Sequence, residues 1–238
     1  MGQYGKHGPL VRSALILAAT LAAAAPAEAC RLALTLAMDV SASVDADEDR
    51  LQRFGLAQVL TLPEIEAAFL AFPDRPVALS VFEWSGRYQQ DLLLDWRLIE
   101  APGDLHSAAL ELSQTSRGHN DMPTALGYAL GYAAGLLARA PDCEVQKIDV
   151  SGDGRNNEGF PPANAYSAFP LDGVIVNGLT IGGQDRELAD YYSTDLIRGP
   201  GAFVIAAENF DDFARAMRAK LLRELEGPVI GALTEAPG

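Results

Sequence analysis

The sequence predicts an α/β fold: a doubly wound, mostly parallel central sheet with one antiparallel edge strand and helices on both faces. Three observations carry this expectation. Strand-like apolar runs alternate with helix-like runs along most of the chain, the pattern of strands joined by covering helices. The first run, Leu32 to Met38, is apolar on both alternations: Leu32, Leu34, Leu36 and Met38 on one face, Ala33 and Ala37 beside Thr35 on the other. A strand of that kind is covered on both sides. Finally, only Ser85-Gly86 separates the strand-like stretches 77–84 and 87–96, too little for a helical crossover, so this pair reads as a hairpin at the sheet edge.

Taken in order, the chain opens with an address. Residues 1–13 carry Lys6 and Arg12 and no acid, and Ala14 to Ala25 is a twelve-residue apolar run. Spanning a bilayer takes about 20 residues. Pro26 breaks the run, and Ala27-Glu28-Ala29 has the small-x-small form of a cleavage site, so 1–29 reads as a signal peptide. Cys30 stands where a lipoprotein signal would need it, but Ala27 and Glu28 suit such a signal poorly. The folded domain is expected over 30–226, with a loose tail at 227–238.

Within the domain, Asp47 to Leu62 reads as a helix with an acidic start, and Pro63 opens a second through Phe72. Val77 to Trp84 and Arg87 to Trp96 form the hairpin, with Trp84 and Trp96 expected to cover the edge of the core. Leu105 to Leu112 is a short helix. Thr124 to Ala138 is a strong one, with Leu126, Leu130, Ala133, Ala134 and Leu137 at helical spacing. Gly127 and Gly131 on that helix are expected to allow a close approach to the sheet. Val145 to Ser151, Val174 to Ile181 and Ala202 to Ala206 read as strands, 152–169 as a loop rich in Gly, Pro and Asn, and Asp211 to Leu225 as the last helix.

Composition narrows the function. Against 18 Lys and Arg stand 32 Asp and Glu, a formal charge of −14, and loss of the signal would leave 16 against 31, or −15. Such a surface repels a phosphate backbone, so no nucleic-acid partner is expected. No later segment is apolar enough to span a membrane, and an acidic product, periplasmic or secreted, is expected. With two Cys and three His, a zinc site of the usual kind is disfavoured. A serine hydrolase needs a Ser, a His and an orienting acid together. Beyond the signal only His106 and His119 remain, and there is no G-x-S-x-G elbow, so no enzyme is expected. Metal-assisted hydrolysis stays as an alternative without a second carboxylate cluster to support two metals.

The most informative residues are Asp39-Val40-Ser41-Ala42-Ser43, at the end of the first central strand. Ligands of open α/β sheets bind at such strand ends. Asp39, Ser41 and Ser43 can turn three oxygens toward one point, a donor set that suits a hard divalent cation. Asp and Ser at a strand end are equally at home in a solvated turn or helix cap. Thr124 before the strong helix and Asp153 in Ser151-Gly152-Asp153-Gly154 supply further oxygens.

This set resembles the von Willebrand factor type A fold with its metal-ion-dependent adhesion site. The likeness covers roughly 31–222 and is closest to a bacterial branch of exported proteins, a domain of unknown function, carrying the block Asp149 to Gly154. Two positions depart from the family pattern: Asp121-Met122-Pro123 replaces a Gly-Gly, and Gly152 replaces a threonine. The resemblance implies Mg²⁺ (or Mn²⁺ or Ca²⁺) held by Asp39, Ser41, Ser43, Thr124 and Asp153, and capture of a protein partner through its acidic side chain. A scaffold with a degenerate site is the other reading. Asn156, Asn157 and Glu158 are either rim residues or plain loop, His119 a possible ligand contact, and Asp149 a structural acid bonding loop amides.

A disulfide between Cys30 and Cys143 is expected as well. Cys30 precedes Asp39 by nine residues and Cys143 precedes Asp153 by ten. If those aspartates end neighbouring parallel strands, the cysteines lie side by side at the other end, and an exported protein meets an oxidising compartment.

Overall fold

A computed structural model describes residues 1–2 and 30–226, except 120 and 184. The expected signal peptide, from residue 3 onward, and the tail 227–238 lie outside the described residues. One sheet is built from β1 (Cys30–Asp39), β2 (Val77–Trp84), β3 (Gln90–Ile99), β4 (Cys143–Gly152), β5 (Ile175–Ile181) and β6 (Val204–Ala207), in the order β3-β2-β1-β4-β5-β6. Every pairing is parallel except β2 with β3. The doubly wound fold with one antiparallel edge is therefore the one expected.

The two-sided apolar pattern of β1 divides the core. Leu32, Leu34, Leu36 and Met38 pack into one layer with helices α1 (Ala46–Leu60), α2 (Pro63–Phe69), α3 (Pro102–Gln114) and α7 (Phe213–Leu225). Ala33 and Ala37 face the other layer, beneath α4 (Leu126–Leu137), α5 (Pro162–Ala168) and the π-helical turn Tyr192–Leu196 that continues α6 (Arg186–Tyr191). Trp84 is fully buried in that second layer rather than covering an edge, because β2 lies inside the sheet. Trp96 does sit on the edge strand and donates its indole N–H to Leu136 O at 2.9 Å.

The chain leaves β1 toward β2 on one side and, after β3, crosses to β4 on the other. That reversal is a topological switch point, between the carboxyl ends of β1 and β4. At the opposite ends of the same strands Cys30 pairs in register with Cys143, and the two are disulfide-bonded, with Cα atoms 4.3 Å apart. The bond occupies the Cys30 sulfur, so that atom cannot also carry a thioether-linked lipid.

Some elements differ from expectation. The helix expected from Thr124 begins at Leu126, leaving Thr124 in the loop ahead of it. Gly127 and Gly131 do not admit the sheet. A Cβ at Gly127 would come within 2.1 Å of Phe160 O, and one at Gly131 within 2.8 Å of the Phe169 ring, so they make room for the chain flanking α5. That helix lies inside the expected loop; its seven residues offer too few apolar positions to show a period.

Candidate metal centre

Asp39 is the last residue of β1 and is fully buried. Its Oδ1 accepts the Ser41 N–H at 2.7 Å, which folds the chain back on itself just past the strand. Gln52 of α1 donates to Asp39 O at 3.0 Å and fixes the start of the turn. The Ser41 and Ser43 hydroxyls are then 3.2 Å apart, and Ser43 Oγ donates to Asp153 Oδ1 at 2.6 Å. Asp153 follows β4 directly, so the two strand ends meet across the switch point.

Thr124 joins them from the loop before α4. Its N–H donates to Asn157 Oδ1 at 2.8 Å, and its carbonyl accepts Asn157 N at 2.9 Å. Its hydroxyl stands against Gly154, where a Cβ would lie 3.3 Å from Thr124 Oγ1. Asp121 takes φ +58°, a left-handed conformation that Asp tolerates better than most residues, and so does the turning that a glycine would otherwise do. The neighbouring Met122 O accepts Ala42 N at 2.7 Å, which ties this loop to the Asp39 loop. The structure thus brings Asp39, Ser41, Ser43, Thr124 and Asp153 to one end of the sheet.

Arg117 was not singled out from the sequence, yet it holds the Asp39 loop from behind. Its guanidinium donates to Val40 O, to Val44 O and, at 2.9 Å, to Ser41 O. No sequence signal distinguishes it from other arginines, since the carbonyls it holds in the Asp39 loop are more than 70 residues away. The loop that carries Arg117 is anchored in turn: Gly118 N donates to the buried Glu83 at 3.0 Å, and Glu83 pairs with Arg53 of α1.

The electrostatics leave a positive charge wanting. Burial, and secondarily the charge of Asp153, pushes the Asp39 carboxyl up to about 7. Burial also raises Asp153. Neither has a Lys, Arg or His partner among the described residues, and Asp39 Oδ2 is buried with no hydrogen-bond partner. An ionised carboxylate in that setting is costly unless a cation accompanies it. The oxygens of Asp39, Ser41, Ser43, Thr124 and Asp153 could supply a hard divalent ion, with waters completing its shell. Among the described residues there is no group of three or more His, Cys, Asp or Glu suited to a metal, so a site here depends on its hydroxyls.

Other candidates fall elsewhere. Asn157 and Glu158 tether the Thr124 loop through their N–H groups to Thr124 O, the Glu158 carboxylate accepts from Arg87 N and Nε of the β2–β3 turn at 3.0 Å each, and Asn156 Oδ1 accepts Gly127 N at the start of α4. They are braces rather than free rim residues. His119 Nδ1 lies 3.2 Å from Asp91 and His106 Nε2 2.6 Å from Glu66. Asp149 bonds no loop amide. It lies 3.2 Å from Lys220 of α7, in a buried cluster with Glu224, Lys147 and Asn177. Among the described residues no helix is long and apolar enough to cross a membrane.

No curated protein matches the chain. Among solved structures, the proximal thread matrix protein 1 of the mussel byssus, with a zinc-occupied metal-ion-dependent adhesion site motif, aligns at TM-score 0.56 and 15% identity, over 83% of this chain and 46% of that one. This chain therefore spans about half the length of the mussel protein. The conserved hypothetical protein BatB of Bacteroides thetaiotaomicron aligns at TM-score 0.56 and 16% identity, over 82% of this chain and 98% of that one. A von Willebrand factor type A structure from Catenulispora acidiphila aligns at 0.55 and 14% identity, over 82% and 43%. At these identities the likeness establishes the fold. The chain shares its fold with the von Willebrand factor type A structure, and a family model described as protein of unknown function DUF1194 matches residues 29–229, so the chain belongs to that family.

Proposed function

We propose that the protein is an exported, periplasmic or secreted module that binds a protein partner in a divalent-cation-dependent way. The observation that carries this reading is Asp39 Oδ2: buried, without a partner among the described residues, and grouped with hydroxyl and carboxylate oxygens at the sheet's switch point. Such a donor set favours Mg²⁺ or Mn²⁺, with Ca²⁺ as a weaker fit. When bound, the ion would offer an electron-poor position to a carboxylate presented by the partner. Because most of the donors are neutral hydroxyls, little of its charge would be quenched. Asp39 anchors, Ser41 and Ser43 orient the loop, Thr124 closes the site from the loop before α4, and Asp153 closes it from the end of β4. The zinc-occupied motif of the mussel protein and the shared fold support this assignment.

The chain's −14 charge repels an acidic partner at long range. Salt confines that repulsion to about 10 Å at moderate strength. Added salt should therefore speed association while the bound state still needs the cation. The test is capture of partners from the native envelope fraction with and without EDTA, alongside the Thr124→Ala protein. A partner retained equally in EDTA, or equally by Thr124→Ala, contradicts the reading.

A further inference from the structure

Two glycines cut a slot that leads to the unpartnered oxygen of Asp39, and one tyrosine fills it. Gly178 lies in β5, where a Cβ would sit 2.8 Å from Tyr192 Cδ1. Gly152 ends β4, where a Cβ would sit 2.6 Å from Tyr192 Oη and 2.8 Å from Asp39 Oδ2. All three distances are well inside the ~3.5 Å at which non-bonded atoms make contact, so a side chain at either position would close the slot. Tyr192 itself is fully buried and opens the π-helical turn that follows α6. Turns of that kind re-aim side chains and are frequent at functional sites.

The two oxygens share a second property. Tyr192 Oη and Asp39 Oδ2 are each buried, and neither has a hydrogen-bond partner among the described residues. A buried polar atom left unsatisfied is costly. Here they lie 2.6 and 2.8 Å from the place a Gly152 Cβ would take, so the two oxygens are no farther apart than a single water can span, and one is a donor and the other an acceptor.

We propose that Tyr192 is a positioning residue of the cation site, donating its hydroxyl to Asp39 Oδ2 through one water. Ser41 N already holds Oδ1, so this second bond fixes the carboxylate plane. Each carboxylate oxygen keeps a further lone pair for the ion or its water. The inference rests on the cation-binding reading above and adds a residue that contributes no ligand.

The test is calorimetric titration of chelator-stripped protein with Mn²⁺, for wild type, Tyr192→Phe and, as a control distant from the slot, Tyr132→Phe. Tyr192→Phe should bind Mn²⁺ about five- to ten-fold more weakly, the equivalent of one hydrogen bond. Its metal-free melting temperature should not fall, because an unpartnered hydroxyl has been removed from a ring that stays in its slot. Titration should also change the near-ultraviolet tyrosine signal of wild type and of Tyr132→Phe, but not of Tyr192→Phe. Unchanged affinity in Tyr192→Phe would overturn the proposal. So would weaker binding that appears only with a lowered metal-free melting temperature, since that marks a packing role. Absence of Mn²⁺ uptake by wild type would instead refute the cation site itself, and Tyr192's role with it.

Discussion

Ser43 and Asp153 stand 110 residues apart in sequence and are joined by a 2.6 Å hydrogen bond. One follows β1 and the other β4, so this single contact closes the switch point of the sheet. Ser43→Ala removes an exposed donor from a half-buried carboxylate, and metal-free stability should change by no more than about 1 kcal/mol. Mn²⁺ affinity should nonetheless fall at least ten-fold, because Asp153 loses the group that aims it. Calorimetry and denaturant melts in EDTA measure the two quantities separately. A stability loss without an affinity loss would reduce the contact to a loop fastener.

Arg117 gathers three carbonyls of the Asp39 loop. Arg117→Ala should destabilise by about 2–4 kcal/mol, the range for charge-assisted bonds lost to part-buried acceptors. Arg117→Lys should recover less than half, since a compact ammonium cannot span a guanidinium's fork. Urea melts check both variants, and full recovery by Lys would show that charge alone matters.

The disulfide ties β1 to β4 across 113 residues, at the end of the sheet away from the site. Cys30→Ala combined with Cys143→Ala should cost about 3–5 kcal/mol, mainly by releasing the unfolded chain. Mn²⁺ affinity should stay within a factor of about two, because the bond and the site lie at opposite strand ends. An affinity loss beyond ten-fold would show that the two ends of these strands are coupled.

How much of this could be read from the sequence follows from what each feature needs. β1 was legible because its two faces are both apolar, and the hairpin because two residues cannot hold a helix. The site loop was legible because Asp39, Ser41 and Ser43 are adjacent, and the cysteine pair because both cysteines lie at matched distances from site aspartates. Arg117, Tyr192 and the glycine slot were not. Their partners are backbone carbonyls, or atoms of strands remote in sequence, and no local period marks them. Asp149 was misread for the same reason: its partner, Lys220, is on the last helix.

Asp149 also predicts a pH dependence. Burial pushes its carboxyl up to about 7, partly offset by Lys220, while Glu224 adds to the rise and Lys147 opposes it. The folded protein therefore holds this proton more tightly than the unfolded chain does. Its contribution is complete below about pH 3.8 and is lost as pH rises through about 7. In EDTA, wild type should lose of the order of 1–3 kcal/mol more than Asp149→Asn between pH 5 and pH 8. Parallel pH profiles for the two proteins would refute this. Comparing slopes keeps the test valid even if Asp149→Asn is less stable throughout, since Lys220 loses one of its two carboxylate partners.

Whether Asp39 and its neighbours hold a divalent ion is decided by titrating the protein with and without the Asp39 carboxylate. Chelator-stripped wild type and Asp39→Asn are titrated with Mn²⁺ by calorimetry under the same conditions. The account predicts one ion per chain for wild type and at least a hundred-fold weaker binding for Asp39→Asn, with a metal-free melting temperature at or above that of wild type because a buried charge without a counter-charge is gone. Equal affinity in the two proteins would contradict it.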